Sequence, residues 1–393
     1  MSSDAIVIVA AKRTPVGAFQ GTLSGATATQ LGSVAIKGAI AASGVDAADI
    51  DRVMMGCVLP AGLGQAPARQ AALGAGVPDS VPCVTVNKMC GSGMEAIILG
   101  YDMIKAGSAG IVVAGGLESM SNAPYMLPKA RSGMRMGHQQ VLDHMFYDGL
   151  QDPSSGEMMG HFAQVTADKY GFSREEMDNF AIESVTRAQR AVADGTFAGE
   201  ISPVTIKSRR GETIVDTDET PGTVNVEKIP TLRPAFAKDG TVTAATSSSI
   251  SDGAAAVVMM TAAEAEKRGL MPIAKIIGHS VFAQEPAWFT TAPVYAVKKL
   301  HEALGWSPDD VDLYEINEAF AVVTMAAMKD IGIGHDKVNV NGGACALGHP
   351  IGATGCRISV TLLHELAARG LTRGIASQCI GGGEATAVAY EIV

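Results

Sequence analysis

The sequence predicts an α/β fold built from two related halves with a long looped insertion between them. Short apolar, strand-like runs alternate with helical patterns, as a mostly parallel sheet requires. The last third also repeats the first. "IAASGVDAADIDRVMMG" (40–56) aligns without gaps with "HEALGWSPDDVDLYEIN" (301–317), Gly44 over Gly305 and Asp51 over Asp312. "VTVN" (84–87) is matched by "VNVN" (338–341), and "GIVVAGG" (110–116) by "GIASQCIGGG" (374–383). Three matches in the same order indicate a duplicated unit, and a site between two such halves draws on both.

Taken in order, "AIVIVA" (5–10) is a buried strand, and "ATQLGSVAIKGAIAASG" a helix with Leu31, Val34, Ala35 and Ala39 on one face. "DRVMMGCV" and "CVTVN" (83–87) are the next strands; Met94, Ile97, Ile98, Tyr101 and Ile104 then keep helical spacing up to Gly107. "GIVVAGG" is a strand again. From Ser119 the chain turns loop-like, rich in Pro, Ser, Gly and Met, apart from an amphipathic helix in "SREEMDNFAIESVTRAQRAVADG", capped by Ser173 with Glu176. Strong patterning returns with "SDGAAAVVMMT". The expected division is a first half over 1–118 completed by 250–270, an insertion over 119–249, and a second half over 271–393.

Composition narrows the function. A net charge of −10 over 393 residues gives no basic footprint for nucleic acid, and an anionic substrate would need a local basic patch. Six cysteines are too few for a disulfide scaffold, and no C-x-x-C pair occurs. The N-terminal apolar run is too short for a membrane span. The expectation is a reduced, cytoplasmic protein without membrane partners.

The chemistry concentrates at strand–helix junctions. In "VTVNKMCGSGMEAI" a strand stops at Cys90 and a helix begins after two glycines. "EINEAFA" (315–321) puts Asn317 at a strand end, "GGACALGHPIGATG" (342–355) puts His349 in a glycine-rich loop before a helix, and "QCIGGG" (378–383) puts Cys379 at another strand end. Open α/β sheets bind ligands beyond the carboxyl ends of their strands. The ordinary readings are buried hydrophobe for a cysteine, N-cap for Asn317 and chain turns for the glycines. We assign Cys57, Cys83, Cys345 and Cys356 to the first. "GSGMEA" with Glu118 beyond the next strand also fits a dinucleotide fingerprint, but Cys90 would crowd the pyrophosphate path, and His349, Asn317 and Cys379 would have no role. A zinc site from Cys90, His349 and Cys379 has suitable ligand types but no supporting spacing. As a nucleophile, Cys90 has its thiolate favoured by a helix N-terminus, Gly91 and Gly93 leave room for substrate, and a neutral His349 can take the proton.

"VNKMCGSGMEA", "NEAFA", "NGGACALGHPIGATG" and "QCIGGG" resemble, in order and content, the signature segments of the thiolases, the acyl-CoA C-acyltransferases. The likeness extends to "AAKRTPVGAF", "GGLESMSNAPY", "LRPAF" and "SDGAAA", and so to essentially the whole chain. It implies the thiolase fold: duplicated α/β halves with mixed, mainly parallel sheets sandwiching helices, plus an inserted loop domain. It implies reversible condensation of two acyl-CoA molecules to a 3-ketoacyl-CoA and free CoA through an acyl-cysteine. By this resemblance Cys90 is the nucleophile, His349 its base, and Cys379 the group that moves the α-proton. His349 with an Asn317-held water forms one oxyanion site; the N–H groups of Cys90 and Gly381 form the other. Coenzyme A thioesters are then substrates, with no further cofactor and no metal.

The resemblance places Ser248, Ala244, Phe236, Ala319 and Phe320 along the pantetheine and acyl region. The basic residue that the family carries after "TDE" is missing from "TDETPGTV", leaving Lys228 or "KSRR" (207–210) to meet the phosphates. Acetyl-specific biosynthetic members usually carry a histidine where this chain, like many longer-chain degradative members, has Met158, ahead of Met159 in "EMMG". In "AQEPAWFTTAP" Phe289, beside Trp288, replaces the family's methionine. The expected activity is acetyl-CoA acetyltransferase, the alternative a broad 3-ketoacyl-CoA thiolase. Intact Cys90, His349, Asn317 and Cys379 disfavour a non-catalytic acyl-CoA carrier, and Asn317 in place of a second histidine disfavours a ketoacyl synthase. The resemblance also implies a homodimer or homotetramer, with "PKARSGMRMGHQQ" available for a second interface.

Overall fold

The computed structural model describes residues 4–209 and 211–393. The first half opens with β1 (Ile6–Arg13) and the two-residue β2 (Gly17–Ala18), then α1 (Ala28–Ser43). Thr27 and Gln30 close a reciprocal cap at the start of α1, and Gly44 ends it at φ 72°. β3 (Arg52–Gly56), α2 (Pro67–Gly74), β4 (Cys83–Val86), α3 (Ser92–Lys105) and β5 (Val112–Ser119) follow.

The insertion holds the hairpin β6 (Tyr125–Met126) and β7 (Leu142–Asp143), then α4 (Met159–Tyr170), α5 (Arg174–Ala193) and the hairpin β8 (Val204–Ser208) and β9 (Gly211–Val215). Ser173 and Glu176 form the expected box at the start of α5. β10 (Ser251–Thr261) and α6 (Ala262–Lys267) close the first half. The second half runs β11 (Ala274–Ala283), α7 (Ala292–Leu304), β12 (Leu313–Ile316), α8 (Ala321–Ile331), α9 (Ala344–Leu347), α10 (Thr354–Arg369), β13 (Arg373–Ile380) and β14 (Glu384–Ile392).

The main sheet has the order β12-β13-β14-β11-β1-β10-β5-β3-β4, with β2 against β10. Read outward from the β1–β11 contact, the halves mirror each other: β1, β10, β5, β3 on one side and β11, β14, β13, β12 on the other. An isolated parallel bridge between Tyr314 and Val338 stands where β4 pairs β3. The duplication legible in the sequence is therefore a structural one.

The sheet is mixed, but it is not mainly parallel as the alternating pattern predicts. Only β3–β4, β3–β5 and β12–β13 are parallel, whereas β1, β10, β11 and β14 pair antiparallel with their neighbours. The cause is connectivity: β13 reaches β14 by a tight turn at Gly382 (φ 99°) and Gly383 (φ 93°), with no crossover helix. The first-half counterpart of that turn carries the whole insertion.

Three cores stack into five layers. α1 and α2 cover one half-sheet through Leu31, Ala35, Ala71, Val53 and Met55. α7 covers the other through Val297, Leu300, Ile316 and Ile375. Between the half-sheets, α3 and α10 form a shared buried layer in which Met94, Ile97, Ile358 and Leu362 meet Val257, Met259, Val388 and Tyr390.

A buried ion cluster fixes the insertion to β1. The Arg13 guanidinium is fully buried and donates to both Asp218 oxygens (2.7 and 2.8 Å) and to Glu200 (2.5 Å). Asp218 also accepts the Val16 N–H, and Glu200 the Thr361 hydroxyl on α10. Among the described residues no helix is long and apolar enough to cross a membrane.

Removing one partner strands the other charge in the core. Arg13→Met, which leaves the Asp218 and Glu200 carboxylates unpaired, is expected to destabilise the protein by about 3–5 kcal/mol in urea unfolding. The triple variant Arg13→Met, Glu200→Gln, Asp218→Leu should lose distinctly less; equal losses would show that the site is not dominated by the unpaired charges.

Candidate active site

Cys90 occupies a strained turn between β4 and α3. Met89, just before it, has φ +47°, a region that non-glycine residues adopt at a cost of order 1–3 kcal/mol. The surroundings enforce it. The Ser92 hydroxyl accepts the Lys88 N–H (2.8 Å) and donates to the Met89 carbonyl (2.6 Å), while the Asn87 side chain accepts the Met89 N–H. Lys88 reaches across to Glu384 of the other half at 2.5 Å. Its own N–H and the Gly381 N–H face the Cys90 sulfur closely enough to favour its thiolate. Burial nevertheless pushes its thiol up; the two N–H groups pull it down and the Glu118 carboxylate adds to the rise.

His349 precedes α10 in a loop held on three sides. Its N–H donates to the Ser249 carbonyl, and the Gly352 N–H donates to Glu118 of the first half at 2.9 Å. The Thr354 hydroxyl donates to the Pro350 carbonyl (2.9 Å), so at 2.7 Å it accepts from His349 Nδ1–H. That fixes the tautomer: Nε2 carries the lone pair, and it is buried without a protein partner. Burial, with Arg357 nearby, lowers the imidazolium pKa to about 3.

Asn317 and Cys379 stand at the carboxyl ends of the parallel pair β12–β13. Asn317 N–H donates to the Ser377 carbonyl, and Asn339 grips the preceding residue by both its N–H and its carbonyl at 2.8 Å. Both polar atoms of the Asn317 side chain are buried without a protein partner. Cys379 is fully buried beside Phe289 and Phe320; burial drives its thiol well up, and the charge of a Cys90 thiolate close by raises it further.

A cavity of about 220 Å³ gathers ten of the expected residues: Cys90, His349, Gly381, Ser248, Phe236, Met158, Met159, Phe289, Ala319 and Phe320. Cys379 packs with the cavity's wall residues Phe289 and Phe320, and neither Asn317 nor Ala244 lines it. An adjoining groove of about 320 Å³ holds Ala244 and Lys228 and meets the cavity at Ser247 and Ser249. Arg210, the last residue of "KSRR", lies outside the described residues. The short β8–β9 hairpin instead pairs Lys207 with Glu212 (3.1 Å).

The glycine reading changes, and the dinucleotide reading of Glu118 stays set aside. Gly91 and Gly93 do not clear a substrate path: a Cβ on Gly91 would lie 2.4 Å from the Ile380 side chain, and one on Gly93 3.0 Å from the Gly352 carbonyl. Glu118 serves no ribose; it accepts the N–H groups of Val58, Leu59 and Gly352, and burial pushes its pKa up to about 7. Of the four cysteines read as buried hydrophobes, Cys83 is only half-buried. Sequence reasoning missed Thr354, Gln378 and the wall residues Leu150 and Ile351. Only Thr354, five residues after His349 at a helix start, left a signal. Among the described residues no group of three or more His, Cys, Asp or Glu is placed to hold a metal ion.

Comparison with known proteins places this geometry. Residues 6–263 match the family model of the thiolase N-terminal domain, and residues 270–392 that of the thiolase C-terminal domain. The chain is 49% identical over 386 residues to an acetyl-CoA acetyltransferase of Pseudomonas aeruginosa, covering 98% of each. It is 47% identical to one of Schizosaccharomyces pombe over 100% of both chains. The crystal structure of the Bacillus anthracis acetyl-CoA acetyltransferase superposes with a TM-score of 0.97 at 42% identity, covering 100% of this chain and 99% of that one. An Ascaris suum thiolase in complex with coenzyme A gives 0.94 at 42% identity, covering 99% and 100%.

The buried neutral imidazole has a stability signature. With a folded pKa of about 3 against an ordinary 6.5, His349 binds its proton more readily in the unfolded chain between those values. Stability therefore falls as pH drops through that window. His349→Gln should flatten the fall by at most about 1.4 kcal/mol per pH unit. Parallel pH profiles of urea unfolding for the two proteins would show a protonated, exposed imidazole instead.

Proposed function

The chain belongs to the thiolase family, and on that premise we propose that it is an acetyl-CoA acetyltransferase, reversibly condensing two acetyl-CoA to acetoacetyl-CoA and CoA. One observation carries the reading: a thiol, an unpartnered imidazole lone pair and a free backbone N–H converge on one apolar cavity, with a second thiol packed against its wall residues.

The proton ledger assigns the roles. Cys90 starts as a thiol, because burial outweighs the two N–H groups, so its proton passes to His349 Nε2 as sulfur attacks the thioester carbonyl. The oxyanion that forms accepts from the N–H groups of Cys90 and Gly381, donors of a kind whose loss costs on the order of 10²–10³ in rate. Cys379 also starts protonated. It gives that proton to the departing CoA thiolate and becomes the base that takes the α-proton of the second acetyl-CoA. The enolate oxygen then accepts from the His349 imidazolium and from a water on the Asn317 amide. Carbon–carbon bond formation releases the Cys90 sulfur, which recovers its proton from His349. Every proton is returned, and no further cofactor or metal enters the cycle.

Coenzyme A fits the continuous path from the groove into the cavity, with Ser248, Phe236, Ala244, Ala319 and Phe320 along pantetheine and Lys228 toward the phosphates. The aromatic set Phe236, Phe320 and Phe289, at centroid separations of 6.0 and 6.5 Å, narrows that path. That narrowing favours a two-carbon acyl group, although Met158 stands where acetyl-specific members usually carry histidine. Six free thiols suit a reducing, cytoplasmic setting. The exposed apolar residues Tyr125, Leu127 and Met136 flank or lie in the loop read as a second interface, supporting a homotetramer. Sedimentation as a monomer would contradict that assembly.

The decisive test is acyl transfer in variants. On incubation with radiolabelled acetyl-CoA, Cys379→Ser should still label Cys90 while α-proton exchange falls at least a hundredfold. Cys90→Ala should take up no label at all. A labelled Cys90→Ala protein, or rapid exchange in Cys379→Ser, sinks the assignment.

Chain-length preference is a separate test. CoA-dependent thiolysis should favour acetoacetyl-CoA over the six-carbon 3-ketoacyl-CoA by about tenfold or more in kcat/KM. Phe289→Ala should narrow that ratio; a wild type that prefers the longer substrate would make the chain a broad 3-ketoacyl-CoA thiolase.

A further inference from the structure

Gln378 takes no part in the chemistry above, yet it touches the nucleophile. Side chains alternate along β13: Ile375 packs toward α7 and Cys379 toward Phe289 and Phe320, whereas Ala376 faces the layer of α3 and α10. Gln378 and Ile380 share that second face and meet the start of α3, which is why Gly91 has no room for a side chain. Gln378 is fully buried, and its amide Nε2 donates to the Cys90 carbonyl, 288 residues away in sequence. The carbonyl can only accept, so chemistry fixes the amide orientation; Oε1 is left buried and without a protein partner. Thr386, paired with Gln378 in register, has a hydroxyl in the same condition.

We propose that Gln378 is a positioning residue: its amide holds the Cys90 peptide and sets the spacing between the nucleophilic sulfur and the thiol borne by the same strand. The proposal rests on the acetyltransferase reading. Cys90 follows a residue in a strained left-handed conformation, so its peptide needs restraint from outside the turn. The restraint comes from the residue next to Cys379. Acyl exchange at Cys90 asks the second thiol only to pass a proton to and from the CoA sulfur, whereas condensation and thiolysis also need it at the right distance from the α-carbon. Errors of about 1 Å in such an arrangement cost on the order of a hundredfold.

The test uses the full-length enzyme with acetyl-CoA, acetoacetyl-CoA and labelled CoA. Q378L keeps the size of the side chain and removes the donor. Its kcat for thiolysis should fall by about tenfold or more, with KM for CoA unchanged and exchange of labelled CoA into acetyl-CoA falling less than about threefold. Q378E keeps the shape but donates only when protonated, so its thiolysis relative to wild type should recover as pH is lowered. Equal falls in both rates of Q378L, unchanged rates, or a Q378E defect independent of pH overturn the proposal. Failure of the wild type to form labelled acyl-Cys90 overturns the functional reading, and this proposal with it.

Discussion

The site exists because two main chains from different halves are allowed to touch. α3 and α10 begin side by side in the middle layer, and glycines remove what would keep them apart. A Cβ on Gly116 would fall 2.0 Å from the Gly352 carbonyl, and one on Gly355 2.6 Å from the Met94 nitrogen. Glu118 then closes the contact by receiving N–H groups from the loop after β3 and from the loop carrying His349. With backbone in contact, Cys90 and His349 need no long side chain or mobile loop to face one cavity. The duplication is used asymmetrically: Gly56 aligns with Asn317, so one half gives up a side chain for close approach and the other places an amide there.

Electrostatics at this junction are governed by burial. Helix starts and backbone N–H groups favour a thiolate at Cys90, yet desolvation outweighs them, and the same burial keeps His349 neutral. Both shifts favour a neutral thiol and a neutral imidazole over a charged pair. Charge appears only as substrate supplies a carbonyl to receive it, which is where preoriented N–H groups matter most. His349 gains from this arrangement twice: a bare Nε2 is a competent base, and once protonated in a dry pocket it is a strong donor.

Much of this was legible in the sequence, for identifiable reasons. Cys90, Asn317, His349 and Cys379 are chemically distinctive residues at strand–helix junctions, and the repeat aligned with no gaps. The strand directions were misread because helical spacing reveals that a crossover exists but not which strands a hairpin joins, as at Gly382 and Gly383. Gly91 and Gly93 were misread because a missing side chain does not say what occupies the space. Gln378 carries no local signal at all, and Glu118 carries only one that points to a dinucleotide: their partners lie in remote segments, and only packing selects them. Thr354 sits between these cases, a hydroxyl at a helix start whose link to His349 depends on how the loop turns back.

The central position of β1 also shapes how the chain must be made. β1 is apolar, almost wholly buried, and flanked by β10 and β11, whose residues are synthesised some 250 positions later. At 5–20 residues per second the ribosome takes roughly 10–50 s to deliver those partners. Throughout that interval "IVIVAA" is a sticky strand with both edges open, the kind of segment that aggregates or recruits a chaperone. The candidate site is accordingly a late product of folding: a nascent first half carries Cys90 but neither His349 nor Cys379. A half-made chain thus lacks the assembled cavity while its first strand is still open to aggregation.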